Sequence, residues 1–394
     1  MGRRIARWVW PPRIPITALG WTVLVVAVVS WWSGVQLGWD ELLILAACCL
    51  IAVAVGLLWV IRAPRGSATI VAHPDRVVVG GDAVGEVGLH NTSSRRMSFG
   101  QVAVPVDTEE ASFPVPGLAA DESWSEAFVL PTGRRRVVSL GPPRVVRADP
   151  LGMARREIVG DSTATLYVHP TTVRLPPIAS GLLRDLDGTT TNDLSNSDVA
   201  FHTLREYVPG DELRQVHWRT TARLGTLMVR QFVDTRRARL GLVLSTSIDE
   251  WTDDEEFEMG ISVLASIGRT ALAEQHPVTT TIGGDTIPSG DSTSFLDGLA
   301  GVEFGGSDDS LATVAAHATV LNRDASLVAL ITGAAATAAD LRRVAQRFGP
   351  SVRVLALRCD QSSPESRNVY DHVSVVGVRS LDTFSNTVAR GVFG

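Results

Sequence analysis

The chain has 394 residues, a net charge of −6 and 36 Lys+Arg residues, every one of them Arg. That length allows two or three domains, and an acidic balance without a long basic block argues against nucleic acid as the main partner, since affinity there comes from neutralised phosphates. With no Lys there is no Walker A loop, no Schiff-base or pyridoxal-phosphate site, and no kinase site built on a strand Lys.

Residues 14–39 and 42–61 carry no charge. Each run is long enough to cross a hydrocarbon core about 30 Å thick at about 1.5 Å per residue. The expected spans are 16–37 and 42–61 within an N-terminal segment 1–65, with only Asp40 and Glu41 at the connection. Arg3, Arg4, Arg7 and Arg13 precede the first span, and Arg62 and Arg65 follow the second, so the positive-inside rule predicts both termini and the soluble domains in the cytoplasm of a plasma (inner) membrane protein. Trp21, Trp31, Trp32, Trp39 and Trp59 are candidate interfacial anchors. The first run is too long for a signal-peptide core. Cys48 and Cys49 lie in the second run and Cys359 near the end of a strand pattern; they share no metal-ligand spacing and suggest no disulfide framework.

Residues 66–175 alternate in short runs broken by Gly, Asp and Pro, which predicts a small Ig-like β-sandwich, with Val77, Val79, Val84, Val87 and Leu89 along one inner face. Arg134–Arg136 reads as a solvated hairpin edge. Residues 176–200 are rich in Ser, Thr, Asn, Asp and Gly and read as a linker or mobile loop.

The segment 201–238 is the most distinctive. It gathers Arg205, Glu206, Asp211, Arg214, Arg219 and Arg223 around Tyr207, His217 and Trp218, which suggests a partly buried, paired polar network. Pro209–Gly210 fits the centre of a type II turn, Asp211 is positioned to cap a helix starting at Glu212, Leu213, Val216 and Thr220 share a face, and Gly225 is a helix stop followed by a strand. Three readings stand at this point: an interdomain scaffold, a partner-binding surface, and an acid–base site using His217 with Asp211 or Glu206.

Residues 239–394 alternate strand and helix, predicting a mostly parallel α/β sheet covered on both faces. Expected strands are 239–245, 277–282, 326–332, 352–357 and 373–376; expected helices are 253–275 with a Thr252-x-x-Glu255 capping box, 308–321, 337–348 and 380–391. A ligand is expected beyond the strand carboxyl ends, at Ser245, Thr246, Ser247, Asp249, Thr332 and Gly333.

The pattern RE-Y-x-PGD-x-x-R-x-x-HW-x-x-x-AR from Arg205 to Arg223, with Asp149–Pro150–Leu151–Gly152 and Tyr167-x-His169–Pro170 upstream, resembles the bacterial domain of unknown function 58 family. The resemblance implies a membrane hairpin, a β segment and a von Willebrand factor A-like domain. It also implies a non-enzymatic adaptor role beside a MoxR-type AAA+ ATPase, in some cases with transglutaminase-like proteins. Domains of the A type bind Mg²⁺ through Asp-x-Ser-x-Ser with a later Thr and Asp. Here Ser245-x-Ser247-x-Asp249 and Thr332–Gly333 stand in those places, so the site is degenerate and neither a tight Mg²⁺ site nor another cofactor is expected.

Overall fold

The computed structural model describes residues 15–61, 66–97, 100–176, 199–208, 216–234, 239–307, 309–322, 325–350, 352–362, 367–370 and 373–389. They form two compact units, divided between Val168 and His169.

The first unit begins with two helices, α1 (Ala18–Leu37) and α2 (Asp40–Ile61). Thr17 starts α1 by accepting a hydrogen bond from Gly20 N, and Gly38 ends it in the left-handed region at φ 67°, where a side chain would be strained. Asp40 and Glu41 then occupy the first turn of α2, where the helix dipole favours acids. The helices meet along small residues. Ala27, Ser30 and Gly34 are buried on α1 and Ala46 on α2, and a Cβ at Gly34 would press on Leu42 and Leu43. Such residues let two backbones approach closely without a hydrophobic driving force between them. The remaining faces are apolar and exposed, including all five Trp residues of the two helices and their connection. Both helices are long and apolar enough to cross a membrane.

Ten strands follow: β1 (Gly66–His73), β2 (Arg76–Val78), β3 (Val84–Asn91), β4 (Gly100–Val106), β5 (Glu109–Val115), β6 (Ser123–Val129), β7 (Arg136–Leu140), β8 (Arg144–Ala148), β9 (Arg155–Val159) and β10 (Ala164–His169). They make a sheet in the order β1-β3-β6 and a larger one in the order β2-β10-β7-β4-β8-β9, with β5 paired to β4. Ile70, Val87, Leu89, Val102, Val104, Val138, Leu140, Leu166 and Val168 fill the space between them. Val87 and Leu89 face this core as expected, and Val77 and Val79 pack at its margin. Val84 does not: it is exposed, because on β3 the even positions point away from the face that holds Val87 and Leu89. Arg134–Arg136 is not a simple solvated edge either. Arg135 is buried and Arg136 faces Asp107 at 3.4 Å.

The second unit starts earlier than the expected boundary at 175. Val173 N donates to Ser266 Oγ (3.0 Å), Ser385 Oγ donates to Arg174 O (3.2 Å), and Leu175 is buried in the α/β core. The linker segment 177–198 lies outside the described residues. Next come β11 (Val199–Glu206), α3 (Trp218–Leu224) and β12 (Met228–Asp234), the two strands pairing antiparallel.

The α/β part contains β13 (Leu240–Leu244), α4 (Asp254–Ala273), β14 (Val278–Ile282), β15 (Asp285–Ile287), α5 (Ser292–Ala300), α6 (Leu311–Leu321), β16 (Leu327–Thr332), α7 (Ala338–Ala345), β17 (Arg353–Cys359), β18 (Arg367–Tyr370), β19 (Val373–Val378) and α8 (Leu381–Ala389). The sheet order is β15-β14-β13-β16-β17-β19-β18, parallel except for β15 and β18 at the two edges. Alternate residues of each central strand serve opposite faces. Leu240, Leu242, Leu244, Ala329 and Ile331 join Phe257, Ile261 and Leu264 of α4, whereas Val243, Val328 and Leu330 join Val314 of α6 and Leu341 of α7. Strands buried on both sides read as continuous apolar runs, which is what LGLVL and LVALIT are. The edge strands β15 and β18 and the helix α5 had no counterpart among the sequence expectations. The cap of α4 is Asp253, whose carboxylate accepts from Glu256 N, and not Thr252.

Candidate functional site

Two places are candidates: the carboxyl edge of the parallel sheet and the β11–α3–β12 hairpin.

The sheet order reverses between β13 and β16, so the crevice beyond their carboxyl ends is where ligands bind in open α/β sheets. The structure brings Ser245, Thr246, Ser247 and Thr332–Gly333 together there, with Asp249 exposed on the short helical turn Ile248–Glu250. These residues are already engaged with their own chain. Ser245 Oγ donates to Asp309 O (2.9 Å) and accepts from Ser247 N (3.2 Å), and Trp251 Nε1 donates to Ser245 O (2.9 Å). Glu256, only 4% exposed, accepts from Thr252 N (3.0 Å) with one carboxylate oxygen and from Ala334 N with the other. Glu250 accepts from Leu311 N (3.0 Å) at the start of α6. Carboxylate-to-amide links from buried Glu256 and half-buried Glu250 therefore tie the loop after β13 to the loop after β16 and to α6.

Mg²⁺ does not suit this set. It wants several carboxylate or water oxygens in octahedral order. Here Ser245 Oγ is spent on the Asp309 carbonyl, and Glu250 and Glu256 are spent on amides. Among the described residues no group of three or more His, Cys, Asp or Glu side chains is placed to hold a metal ion. The hydroxyls of Thr246 and Thr332 are buried and make no hydrogen bond. Cys359 ends β17 and is fully buried; burial, and secondly the charge of Glu256, push its thiol up, so it is a poor nucleophile in the folded protein.

The hairpin differs from expectation. Pro209, Gly210, Asp211 and Arg214 lie outside the described residues, and with them the proposed turn and the Asp211 cap. The expected helix does not pass through Val216 and His217: Val216 forms an isolated bridge with Val229, and His217 is non-helical at φ −87°, ψ 82°. His217 is itself the cap. Its Nδ1 accepts from Thr220 N (3.2 Å) and stands 2.7 Å from Thr220 Oγ1, and its backbone N–H donates to Met228 O (2.8 Å). Gly225 ends α3 in the left-handed region, as expected. Tyr207 N donates to Leu227 O (2.8 Å), which closes the hairpin, and Arg205 donates to Glu206 O (3.1 Å).

No residue of α3 is buried. Trp218 is 63% exposed and Leu224 60%, with Leu227 and Val208 exposed nearby and Arg219 and Arg223 exposed on the same short helix. The expected partly buried network around Trp218 is therefore corrected: this side chain and its two Arg neighbours face outward. Leu224 and Leu227 carried no sequence signal as surface residues, because apolar residues beside a Trp read as core.

His169, the first residue of the second unit, is buried and places Nε2 2.8 Å from Asp297 Oδ1 on α5. The Tyr-x-His-Pro segment thus contributes a structural anchor.

These features define a chain with two candidate membrane helices, a β-rich unit and a mostly parallel α/β sheet. Residues 203–361 match the family described as "Protein of unknown function DUF58". The uncharacterized protein YeaD of Bacillus subtilis (strain 168) is 30% identical over 131 residues, which are 33% of this chain and 31% of that protein. The match thus spans about a third of the length of that relative. Among solved structures, the CARDB domain of the PF1109 protein from Pyrococcus furiosus is 17% identical and covers 27% of this chain and 93% of that domain, with a TM-score of 0.22. The sporulation control protein Spo0M from Bacillus subtilis is 13% identical over 43% of this chain and 66% of its own, with a TM-score of 0.18. Likenesses at these scores assign neither fold nor function to this chain.

Proposed function

We propose that this protein is a membrane-anchored adaptor. Its two apolar helices span the inner membrane, its soluble units face the cytoplasm, and its β11–α3–β12 hairpin binds a protein partner. The exposure of Trp218, Leu224 and Leu227 on the hairpin carries the reading. Exposed Trp, Leu and Arg side chains on one short hairpin suit a protein–protein contact, where Trp and Arg are enriched. The arginines favour an acidic partner surface. The α/β part has the strand order of a von Willebrand factor A-like domain in this reading and serves as the platform that presents the hairpin. The family resemblance supplies the partner class, a MoxR-type AAA+ ATPase acting in assembly or maturation of protein complexes.

The test is co-purification of the detergent-solubilised full chain from its own cells, as wild type and as Trp218→Ala and Asp211→Ala. Capture of a MoxR-type ATPase by wild type, lost with Trp218→Ala while circular dichroism is unchanged, is the expected result. Capture that is indifferent to Trp218, or no ATPase at all, refutes the proposal.

A further inference from the structure

The Asp149–Pro150–Leu151–Gly152 turn, which follows β8, packs on the helical hairpin. Thr17 Oγ1 donates to Gly152 O (2.6 Å), Thr17 N to Met153 O (2.9 Å) and Arg155 N to Pro15 O (3.0 Å), and Ile16 bridges Ala154. On α1 the absent side chain of Gly20 makes room for the Met153 carbonyl, and on α2 a Cβ at Gly56 would lie 3.3 Å from the Asp149 carboxylate. The turn therefore touches α2 well before its end. From Gly56 to Ile61 is about 7.5 Å of helix at about 1.5 Å per residue, and the whole interval belongs to the uncharged run 42–61.

Irregular backbone at that depth is tolerated only when its polar groups are satisfied within the protein. This turn satisfies most of its amides internally. Asp149 N donates to Ala154 O (3.0 Å), Gly152 N to Asp149 O (3.0 Å), Leu151 N to Asp149 Oδ2 (3.0 Å) and Ala154 N to Asp149 Oδ1 (2.5 Å). Pro150 has no N–H to satisfy. The Asp149 carboxylate is buried and acts as the internal acceptor for its own turn. The tip, Leu151, is 56% exposed beside the exposed Leu19 of α1. A single exposed Leu is ordinary on a surface in water; this one tips a turn packed on both apolar helices at Gly20 and Gly56. Arg155 and Arg156, both exposed, follow at once and suit the headgroup level.

We infer that the 149–153 turn is a third lipid-contacting element, wedged into the bilayer interface with Leu151 in the acyl boundary and locked to the hairpin through Gly20 and Gly56. It fixes the β-rich unit against the membrane surface instead of leaving it on a free tether. This rests on the reading of α1 and α2 as membrane spans.

The test is spin-label accessibility in full-length protein reconstituted into phosphatidylglycerol-containing liposomes, with Cys48, Cys49 and Cys359 replaced by Ser. Single cysteines are placed by Leu151→Cys, by Leu58→Cys on the exposed face of α2, and by Val129→Cys on β6. Val129 pairs with Val84 and so lies at the end of the β1-β3-β6 sheet opposite Gly66. Leu58 and Leu151 labels both several-fold protected from a water-soluble nickel relaxant and enriched in oxygen collisions, with Val129 the reverse, is the expected result. A protected Leu58 with a water-exposed Leu151 overturns the wedge and leaves the spans standing. A water-exposed Leu58 overturns the spans and the wedge with them.

Discussion

Replacing Glu256 by Ala removes the acceptor of two backbone N–H groups, Thr252 N and Ala334 N, at a position only 4% exposed. Both donors sit on partly exposed backbone, at Thr252 and Ala334, so water can reach them in part and the loss is about 1–3 kcal/mol for the pair, still a sizeable fraction of the roughly 5–15 kcal/mol that holds a domain together. Glu256→Gln keeps one acceptor oxygen and turns an amide donor toward the other N–H. It should lose about half as much, about 1 kcal/mol. The assay is hydrogen–deuterium exchange of the full-length protein in detergent, read in peptides covering 245–257 and 327–337. In Glu256→Ala both loops should lose protection together, because one side chain ties them; in Glu256→Gln the loss should be smaller in both. Unchanged protection in Glu256→Ala, or loss confined to one loop, would show that the link does not hold the sheet edge closed and would reopen that crevice as a ligand site.

Other outcomes follow from single contacts. Gly260→Ala places a Cβ 2.7 Å from Trp251 Cζ3 on the helix–sheet interface, and this overpacking should cost about 1–3 kcal/mol in urea unfolding. His217→Ala removes the acceptor of Thr220 N and should destabilise α3 by about 1 kcal/mol, seen as faster exchange at 220–224, while His217→Asn should preserve the cap. Cys359 should resist maleimide in the native state at every pH at which the fold survives. Burial raises its pKa above that of the unfolded thiol, so the stability it contributes is complete below the ordinary thiol range and is lost as pH rises through and beyond it. Measured stability should therefore fall on the alkaline side less steeply in Cys359→Ala than in wild type.

The parts of the fold legible in the sequence were those with one dominant period. The uncharged runs became α1 and α2, LGLVL and LVALIT became central strands, and Phe257, Ile261, Leu264 and Ala271 became the buried stripe of α4. Failures came where two local rules compete. At the start of α4, Thr252-x-x-Glu255 and Asp253-x-x-Glu256 both fit a cap, and Asp253 wins because Glu256 is drawn inward to bond Thr252 N and Ala334 N. The strand β15 and the helix α5 were missed because DTI is too short to show a period and STSFLDGLA mixes Ser, Thr and Gly into its turn-like surface. At the hairpin the aromatic and apolar residues suggested burial, whereas α3 has only seven residues, too few for a buried stripe, and leaves Trp218 and Leu224 outside. Sequence alone assigns a Trp to core or surface poorly, because both places reward its large area.

The proposed location of recognition rests on how each candidate satisfies its own polar groups. At the β13–β16 crevice the chain has used its nearest carboxylates, Glu250 and Glu256, on its own amides, and Ser245 on its own carbonyl. A ligand arriving there must first break those bonds, each charge-assisted one costing about 1.5–3 kcal/mol. At the hairpin the backbone is equally closed, by Tyr207 N to Leu227 O and His217 N to Met228 O, but the side chains are not. Trp218, Leu224 and Leu227 give up only water when they are covered, at a gain of about 25 cal/mol per Å² of apolar area. On the proposed reading, covering these exposed side chains of the hairpin therefore costs less than opening the crevice.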